Sequence, residues 1–314
     1  MRDCHNREIT YLRLSVTSRC TLRCGYCRGG AQEPAQDELT GDEFVRIARA
    51  FAGLGIEKIR LTGGEPLLRE DILSLTERVA ALDGITELAM TTNAQRLPGM
   101  AVALKRAGLK RINISVDSLL PARYRAMTGG GELAPVLRGV EEALAAGLLV
   151  KLNVVLLRGV NDGEVDSFIA LTKDRPLDVR FIELMPMGER ADIKLRVTTD
   201  ELLLARPFLE PLPPRYPGQP ASDYRAPGHM GRVGFISPIS HKFCAGCNRI
   251  RVTSDGMLRP CLGVDSEIPL RPALAEPDDA ALIAAITDAA FHKPQGHTFS
   301  QAGFRAKDMS RIGG

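Results

Sequence analysis

Three cysteines near the start of the chain have a spacing that suits a metal cluster. Cys20, Cys24 and Cys27 form the pattern C-x3-C-x2-C. Three thiolates can bind three irons of a 4Fe–4S cluster, which leaves the fourth iron open for a small ligand. The alternatives are a zinc site completed by His5 or three unrelated cysteines. The spacing favours an iron–sulfur cluster.

A second set of three cysteines lies near the end of the chain. Cys244 and Cys247 form C-x2-C, and Cys261 follows after thirteen residues. This set predicts either a zinc knuckle completed by His241 or a second 4Fe–4S cluster whose open iron binds a substrate. Cys4 is left over, and we predict no role for it because a free cysteine often acts as a small apolar residue.

Arginines occur inside several apolar segments of the sequence. Arg13, Arg60 and Arg180 each interrupt such a run, and a buried guanidinium is costly unless it is paired. Each could point outward or extend to solvent at a strand end. Several of them facing one cavity would instead form an anion site, since guanidinium groups suit phosphate oxygens. Arg249 and Arg251 alternate along one further segment and would add to that site.

The elements that must position these residues alternate between strands and helices. We predict strands at 11–17, 58–63, 87–92, 111–116, 150–157 and 179–184. Amphipathic helical patterns lie between them, one of which begins with a capping box at Thr40 and Glu43. This alternation predicts an α/β fold with a parallel sheet, and six strands are fewer than the eight of a complete barrel. Cys20, Cys24 and Cys27 follow the first strand, where ligand sites of such sheets lie.

The character of the sequence changes near residue 206, where a stretch rich in Pro and Gly begins. We expect a main domain over 1–205 and a smaller module over 206–314. The module contains a hairpin turn at Asp255 and Gly256 and a helix at about 278–292.

Composition excludes several classes of protein. The net charge of +3 and the aromatic content of 5% argue against a nucleic-acid binder. No apolar run is long enough to span a membrane, and we find no signal peptide at the N-terminus. We therefore expect a cytoplasmic protein, in which seven cysteines favour metal or redox chemistry over disulfides. No P-loop motif is present, so a nucleotide would not be bound as in ordinary GTPases.

Two motifs together resemble those of radical S-adenosylmethionine (SAM) enzymes. The segment CTLRCGYC is similar to their cysteine signature, with Tyr26 in the aromatic position. Thr-Gly-Gly-Glu-Pro at 62–66 resembles their GGEP motif, which contacts the amino group of SAM. Gly63 and Gly64 would allow close approach of the backbone to a ligand, and Glu65 could balance an ammonium charge.

A longer resemblance narrows the family. FISPISHKFCAGCNRIRVTSDGMLRPCL, together with the opening YLRLSVTSRC and the ending MSRIGG, resembles the GTP 3',8-cyclases, the molybdenum cofactor biosynthesis protein A family. The matches extend from about residue 7 to the last residue. The resemblance implies a partial (β/α)6 barrel of the TIM type with a C-terminal module that carries a second cluster. It further implies that GTP is converted to 3',8-cyclo-7,8-dihydro-GTP by a lyase of molybdenum cofactor biosynthesis.

The same resemblance implies roles for individual residues. It implies that two 4Fe–4S clusters are held by Cys20, Cys24, Cys27, Cys244, Cys247 and Cys261. It implies that SAM is bound by Tyr26, Gly64, Ser115 and Met185. It implies that GTP is bound by Arg13, Arg60, Thr91, Lys151, Arg249, Ile250 and Arg251, with Lys58 and Arg180 as weaker candidates. It implies a catalytic role for Arg13, Arg249, Arg251 and the terminal Gly313 and Gly314, which thread into the active site.

The implied partners are GTP, a reductase or flavodoxin-type electron donor and, as the next enzyme, cyclic pyranopterin monophosphate synthase. The sequence leaves open whether the protein forms a homodimer. The sequence departs from the family after Cys27, where RGGAQEP replaces the usual Met-Pro, and after residues 185–188, where the segment is short and lacks a Trp. These departures leave room for a paralogue with a modified substrate. The competing functions are a peptide-modifying radical SAM enzyme and an electron carrier that binds zinc or iron–sulfur clusters.

Overall fold

The structure is a computed structural model that describes residues 1–27, 37–187, 191–299 and 309–313. Its first six strands are β1 Tyr11–Ser15, β2 Lys58–Thr62, β3 Glu87–Thr92, β4 Arg111–Ser115, β5 Leu149–Leu156 and β6 Leu177–Glu183. The helices among and after them are α1 Gly41–Gly53, α2 Ile72–Ala80, α3 Ala101–Arg106, α4 Pro121–Thr128, α5 Leu133–Ala145, α6 Val165–Ala170 and α7 Thr199–Leu204. All six strands therefore lie where the sequence predicts them, within two residues at each end.

The C-terminal part contributes further strands and helices. Its strands are β7 Glu210–Pro211, β8 Ser222–Arg225, β9 Val233–Ile236, β10 Arg249–Val252, β11 Met257–Arg259 and β12 Ile268–Pro269. Its helices are α8 Arg271–Leu274, α9 Ala280–Phe291 and α10 Met309–Ile312. The Pro-rich stretch is therefore less irregular than the sequence indicates, since it contributes two short strands. The predicted hairpin is confirmed, because β10 pairs antiparallel with β11.

Sheet order explains how the two parts of the chain combine. The strands form one sheet in the order β12-β11-β10-β1-β2-β3-β4-β5-β6-β9-β8-β7. Strand β10 lies parallel to β1, and β9 lies parallel to β6. The C-terminal part thus extends the six predicted parallel strands at both sides. The predicted fold class, a partial barrel with a C-terminal module, is confirmed, while the boundary at residue 205 stays a prediction.

The capping box and the apolar pattern define helix α1. The hydroxyl of Thr40 accepts a hydrogen bond from the backbone of Glu43, whose carboxylate accepts one from the backbone of Thr40. Phe44, Ile47 and Phe51 then recur along the buried face of the helix. Such faces cover the outer side of the sheet and stabilise it by excluding apolar surface from water.

The two faces of the parallel strands differ in polarity. Leu12 and Leu14 of β1 point to the apolar core, as do their neighbours Ile59 and Leu61 in β2. The alternate positions carry polar side chains, and the register sets Arg13 beside Arg60 and Arg251. The inner face is therefore charged, which is an unusual interior unless a ligand occupies it. Within the described ranges, no helix is long and apolar enough to cross a membrane.

Candidate active site

A cavity opens at the carboxyl ends of the parallel strands and reaches both cysteine sets. It is lined by Cys20, Cys24, Cys27, Cys244, Cys247 and Cys261. The polar side chains of the strands also line it, among them Arg13, Arg60, Arg180, Arg249 and Arg251. One site is therefore built from residues that are more than two hundred positions apart in sequence.

The GGEP turn holds the first cysteine loop by close backbone contact. The backbone N–H of Gly64 donates to the Thr17 carbonyl at 2.8 Å, and the N–H of Glu65 donates to the Arg19 carbonyl at 2.8 Å. A Cβ atom on Gly64 would lie 2.3 Å from the Arg19 carbonyl oxygen. The glycines are thus required for contact with the protein backbone beside Cys20, in addition to any contact with a ligand.

Glu65 does not face the cavity, contrary to the expected balance of an ammonium charge. Its buried carboxylate accepts hydrogen bonds from the N–H of Leu67 at 3.0 Å, the hydroxyl of Thr92 at 2.7 Å and the N–H of Asn93 at 2.7 Å. Burial raises the pKa of Glu65 to about 7. Its donors come from the turn itself and from the end of β3, so Glu65 joins two loops of the site.

Tyr26 is fixed by an acidic residue that the sequence analysis did not single out. Its hydroxyl donates to Oδ2 of Asp117 at 2.6 Å, and Oδ1 of Asp117 accepts from the N–H of Val155 at 2.9 Å. Burial raises the pKa of Asp117 to about 6. Since Asp117 follows β4, this contact attaches the first cysteine loop to the opposite side of the cavity.

Cations surround the second cysteine set. Arg7 donates to the carbonyls of Cys244 and Gln295, both at 2.9 Å, and thereby joins the N-terminal segment to this loop. Burial would raise the pKa of Cys247, but the positive charges of Arg249 and Lys293 lower it to about 6. A thiol with a low pKa is present as the thiolate, which is the form that binds metal.

The histidines considered as zinc ligands have other neighbours in the structure. Among the residues that the structure describes, no three His, Cys, Asp or Glu side chains converge to hold one metal ion. Nε2 of His241 instead lies 2.9 Å from Oδ1 of Asp200, and His5 lines a cleft beside Cys244 of the second set. Each set supplies three thiolates, which are the donors that a 4Fe–4S cluster takes when one of its irons is left open.

The buried guanidinium groups offer hydrogen-bond donors of a kind that suits an anion. Oriented with its oxygen toward them, Asn113 accepts from Nη2 of Arg180 at 2.8 Å and from Nη2 of Arg60 at 3.2 Å. Within the described part of the chain, Nε of Arg60, Nε of Arg180 and Nη2 of Arg249 are buried without a hydrogen-bond partner. Buried donors without acceptors are rare in native proteins, so an anionic ligand is the natural partner of this group.

Lys151 and Ile250 are not brought to the cavity wall. Nζ of Lys151 is paired with Oδ2 of Asp178 at 2.8 Å, and burial, together with the charge of Arg180, lowers the pKa of Lys151 to about 7. The side chain of Ile250 is fully buried in the apolar core, on the other face of β10 from its neighbours. Their predicted contacts with GTP stay predictions.

The sequence analysis missed Tyr11, which lines the cavity among the cations. The Cζ atom of Arg60 lies 5.6 Å from the centre of its ring, and Nζ of Lys58 lies 5.1 Å from it. Burial would raise the pKa of Tyr11, but Arg60, Arg13 and other nearby cations lower it to about 7. The available signal was its position two residues before Arg13, which places both side chains on one face of β1.

The end of the chain reaches into the same site. The Gly313 carbonyl accepts hydrogen bonds from Nη1 of Arg251 at 2.7 Å and from Nη2 of Arg13 at 3.2 Å. A Cβ atom on Gly313 would lie 2.5 Å from Cγ2 of Thr62. Gly314 lies outside the described residues, as do positions 28–36 and 188–190, where the sequence departs from the family.

The four predicted SAM contacts all line this cavity. Its lining includes Tyr26, Gly64, Ser115 and Met185, together with Thr91. The structure therefore brings together the predicted SAM contacts, six cysteines and most of the predicted GTP contacts.

Comparison with known families defines the class of the protein. Residues 14–172 match the Radical SAM superfamily, and residues 177–299 match the family described as Molybdenum Cofactor Synthesis C. The chain is thus a member of the radical SAM superfamily, a class that implies a 4Fe–4S cluster and SAM.

Curated relatives give the particular family. The chain is 45% identical to GTP 3',8-cyclase of Alkaliphilus oremlandii over 322 residues, with 100% of both chains covered. It is 44% identical to GTP 3',8-cyclase of Moorella thermoacetica, again with 100% of both chains covered. The chain belongs to the GTP 3',8-cyclase family.

Solved structures confirm the fold alone. A crystal structure of SuiB from Streptococcus suis bound to S-adenosylmethionine has a TM-score of 0.65 at 16% identity and covers 90% of this chain and 67% of its own. Methylornithine synthase (PylB) has a TM-score of 0.52 at 16% identity and covers 92% of this chain and 84% of its own.

Proposed function

We propose that this chain converts GTP to 3',8-cyclo-7,8-dihydro-GTP, the first step of molybdenum cofactor biosynthesis. In this reaction a hydrogen atom leaves ribose C3', a bond forms between C3' and guanine C8, and one electron and one proton return to the guanine ring to give its 7,8-dihydro form. We assign the enzyme to the lyases. One observation carries the proposal: both cysteine sets, the buried arginines and the Gly313 carbonyl meet in a single cavity. Full-length relatives named GTP 3',8-cyclase support it.

The first cysteine set is suited to the cofactors of the superfamily. Cys20, Cys24 and Cys27 would hold a 4Fe–4S cluster, with SAM beside Tyr26 and Gly64. When bound, this pair supplies a 5'-deoxyadenosyl radical, which can remove a hydrogen atom from carbon. The protein must then orient the ribose and exclude water, since such a radical reacts with any nearby C–H bond.

We infer that the second cysteine set holds a second 4Fe–4S cluster. Cys244, Cys247 and Cys261 supply three thiolates, which leaves one iron with a free position. We assign that position to the guanine edge of GTP. The arginines on the neighbouring strands support this orientation, because they would bind the triphosphate in the same cavity.

The chain's own residues would hold GTP from two directions. Arg13, Arg60 and Arg180 offer guanidinium donors that suit phosphate oxygens. Arg249 and Arg251 lie on β10, beside the second cysteine set. The contacts of Arg13 and Arg251 with Gly313 further fix their guanidinium groups, so the tail would help to close the site around the substrate.

The remaining proposals concern partners and organisation. We propose a reductase or flavodoxin-type electron donor, cyclic pyranopterin monophosphate synthase as the next enzyme, and a homodimer. We also propose the cytoplasm as the location, where thiols stay reduced and available to a metal cluster. We further propose that residues 1–205 form the radical SAM barrel and 206–314 the module with the second cluster, and that residues of both parts bind GTP.

An anaerobic assay tests this function. Reconstituted protein should hold about eight irons per chain, and with GTP, SAM and dithionite it should yield 5'-deoxyadenosine and a cyclised GTP product. Cys261→Ala should abolish the cyclised product, whereas Cys4→Ala should not, since Cys4 is exposed and outside the site.

Two results would reject the assignment. SAM cleavage that leaves GTP unchanged and is stimulated by a peptide would indicate a peptide-modifying enzyme. Iron or zinc binding without SAM cleavage would indicate an electron carrier or a structural metal protein.

A further inference from the structure

Asn93 makes a direct contact with a predicted cluster ligand. It follows β3, and its side-chain Nδ2 lies 3.6 Å from Sγ of Cys20 and 3.1 Å from Oγ1 of Thr21. The backbone N–H of Leu22 also donates to Sγ of Cys20, at 3.4 Å. The amide therefore supplies one of the hydrogen bonds to this sulfur from a separate loop.

The orientation of the Asn93 amide is determined by its other neighbours. Its Oδ1 accepts a hydrogen bond from the N–H of Gln95 at 3.0 Å, so the opposite atom must be the nitrogen that faces Cys20. Its backbone N–H donates to Glu65, which is buried in the GGEP turn. Ala94 follows with φ of 60°, and this left-handed residue turns the chain after Asn93. The amide is thus held in place from both sides.

We propose that Asn93 is a positioning residue that donates a hydrogen bond to the Cys20 thiolate and raises the reduction potential of the first cluster. This inference rests on the proposed function, because it requires a cluster at Cys20. Hydrogen bonds to the sulfurs help to set cluster potentials. The positive end of an N–H dipole stabilises the additional negative charge of the reduced cluster more than it stabilises the oxidised cluster.

Two variants test the role of the amide. Asn93→Ala removes the donor, and Asn93→Asp keeps the shape but presents acceptors to the sulfur. A matched control is Gln95→Ala. It also removes a side-chain amide, but that amide donates its hydrogen bonds to the Tyr124 hydroxyl and the Glu132 carbonyl and not to a cysteine. The midpoint potential should be measured by a redox titration followed by electron paramagnetic resonance. The first cluster is identified as the signal that changes when SAM is added.

We expect both Asn93 variants to shift the midpoint to a more negative potential. At the wild-type midpoint, the ratio of reduced to oxidised cluster should fall at least threefold, which for one electron corresponds to about 30 mV. Gln95→Ala should keep the wild-type potential. A potential does not depend on occupancy, so the comparison holds even if a variant binds less iron.

The outcomes separate this inference from the proposed function. Unchanged potentials in both Asn93 variants, with a normal cluster in the wild type, would overturn the role of Asn93 alone. A wild-type protein with no cluster that responds to SAM would overturn the proposed function together with this inference.

Discussion

At the scale of single residues, the site contains buried ionisable groups whose charges are only partly balanced by neighbouring charges of opposite sign. Lys151 and Tyr11 each have a pKa of about 7, because burial lowers the first and the surrounding cations lower the second. Above pH 7, neutral Lys151 and ionised Tyr11 are therefore favoured. Both states reduce the positive charge that a substrate anion would otherwise meet.

This electrostatic state predicts that GTP binding is coupled to proton uptake. A triphosphate beside the arginines raises both pKa values, so at pH 8 we expect up to about two protons to be taken up per GTP. Affinity for GTP should therefore fall as the pH rises above 7. Calorimetry in buffers of different ionisation enthalpy measures the proton number.

Single variants identify the groups that take up the protons. Lys151→Met and Tyr11→Phe should each remove about one proton from the uptake, since each removes one titrating group. The charged neighbours that affect the pKa of Lys151 are Asp178, Arg180 and Arg215. Those that affect the pKa of Tyr11 are Arg13, Lys58, Arg60 and Arg111. Binding heats that are the same in every buffer at pH 8 would contradict the prediction.

At the scale of elements, the loops after the strands fix one another. The GGEP turn contacts the first cysteine loop through backbone bonds, while Glu65 connects that turn to the end of β3. Tyr26 and Asp117 attach the same loop to the segment after β4. The cysteine loop is therefore placed by three neighbouring loops instead of by its own secondary structure.

This arrangement predicts that Gly64→Ala displaces the first cysteine loop. The new Cβ would overlap the Arg19 carbonyl, and forced shifts of this kind typically cost about 1–3 kcal/mol of folding free energy. We expect a loss of reconstituted iron from the first cluster and at least a tenfold loss of SAM cleavage, measured as 5'-deoxyadenosine.

The matched control is Gly53→Ala at the end of α1. A Cβ there meets no atom within 4 Å, so iron content and SAM cleavage should stay at the wild-type level. Wild-type iron content in Gly64→Ala would show that the loop tolerates the side chain.

At the scale of the whole molecule, the C-terminal part completes the site. Strand β10 pairs with β1, which sets Arg251 beside Arg13, and the chain end then returns to both arginines. The net charge of +3 is small, so the positive charge that matters is local to this cavity.

The hydrogen bonds of the Gly313 carbonyl predict a specific effect of Gly313→Ala. The Cβ would overlap Thr62, so the carbonyl should lose its contacts with Arg13 and Arg251. We expect at least a tenfold loss of cyclised GTP, with the midpoint of thermal unfolding unchanged within about 2 °C. The control is Gly163→Ala, whose Cβ meets no atom within 4 Å. Full cyclisation by Gly313→Ala would show that the tail contact is dispensable.

The sequence by itself determined the elements and the chemical groups. Apolar periodicity located the six strands and helix α1, because burial of one face imposes a regular pattern on neighbouring residues. Cysteine spacing and the GGEP motif indicated the class of chemistry, since cluster ligands are close in sequence. These signals are local, so no tertiary information was needed.

Only the tertiary structure decided which groups meet. It placed β9 and β10 beside the six predicted strands. It showed that Glu65 connects two loops through its hydrogen bonds and does not face the cavity, and that Lys151 is paired with Asp178. It also revealed Tyr11, Asn93 and Asp117, whose partners lie on other strands and loops. Such contacts depend on strand order and register, which join residues far apart in the chain and leave no periodic signal in the sequence.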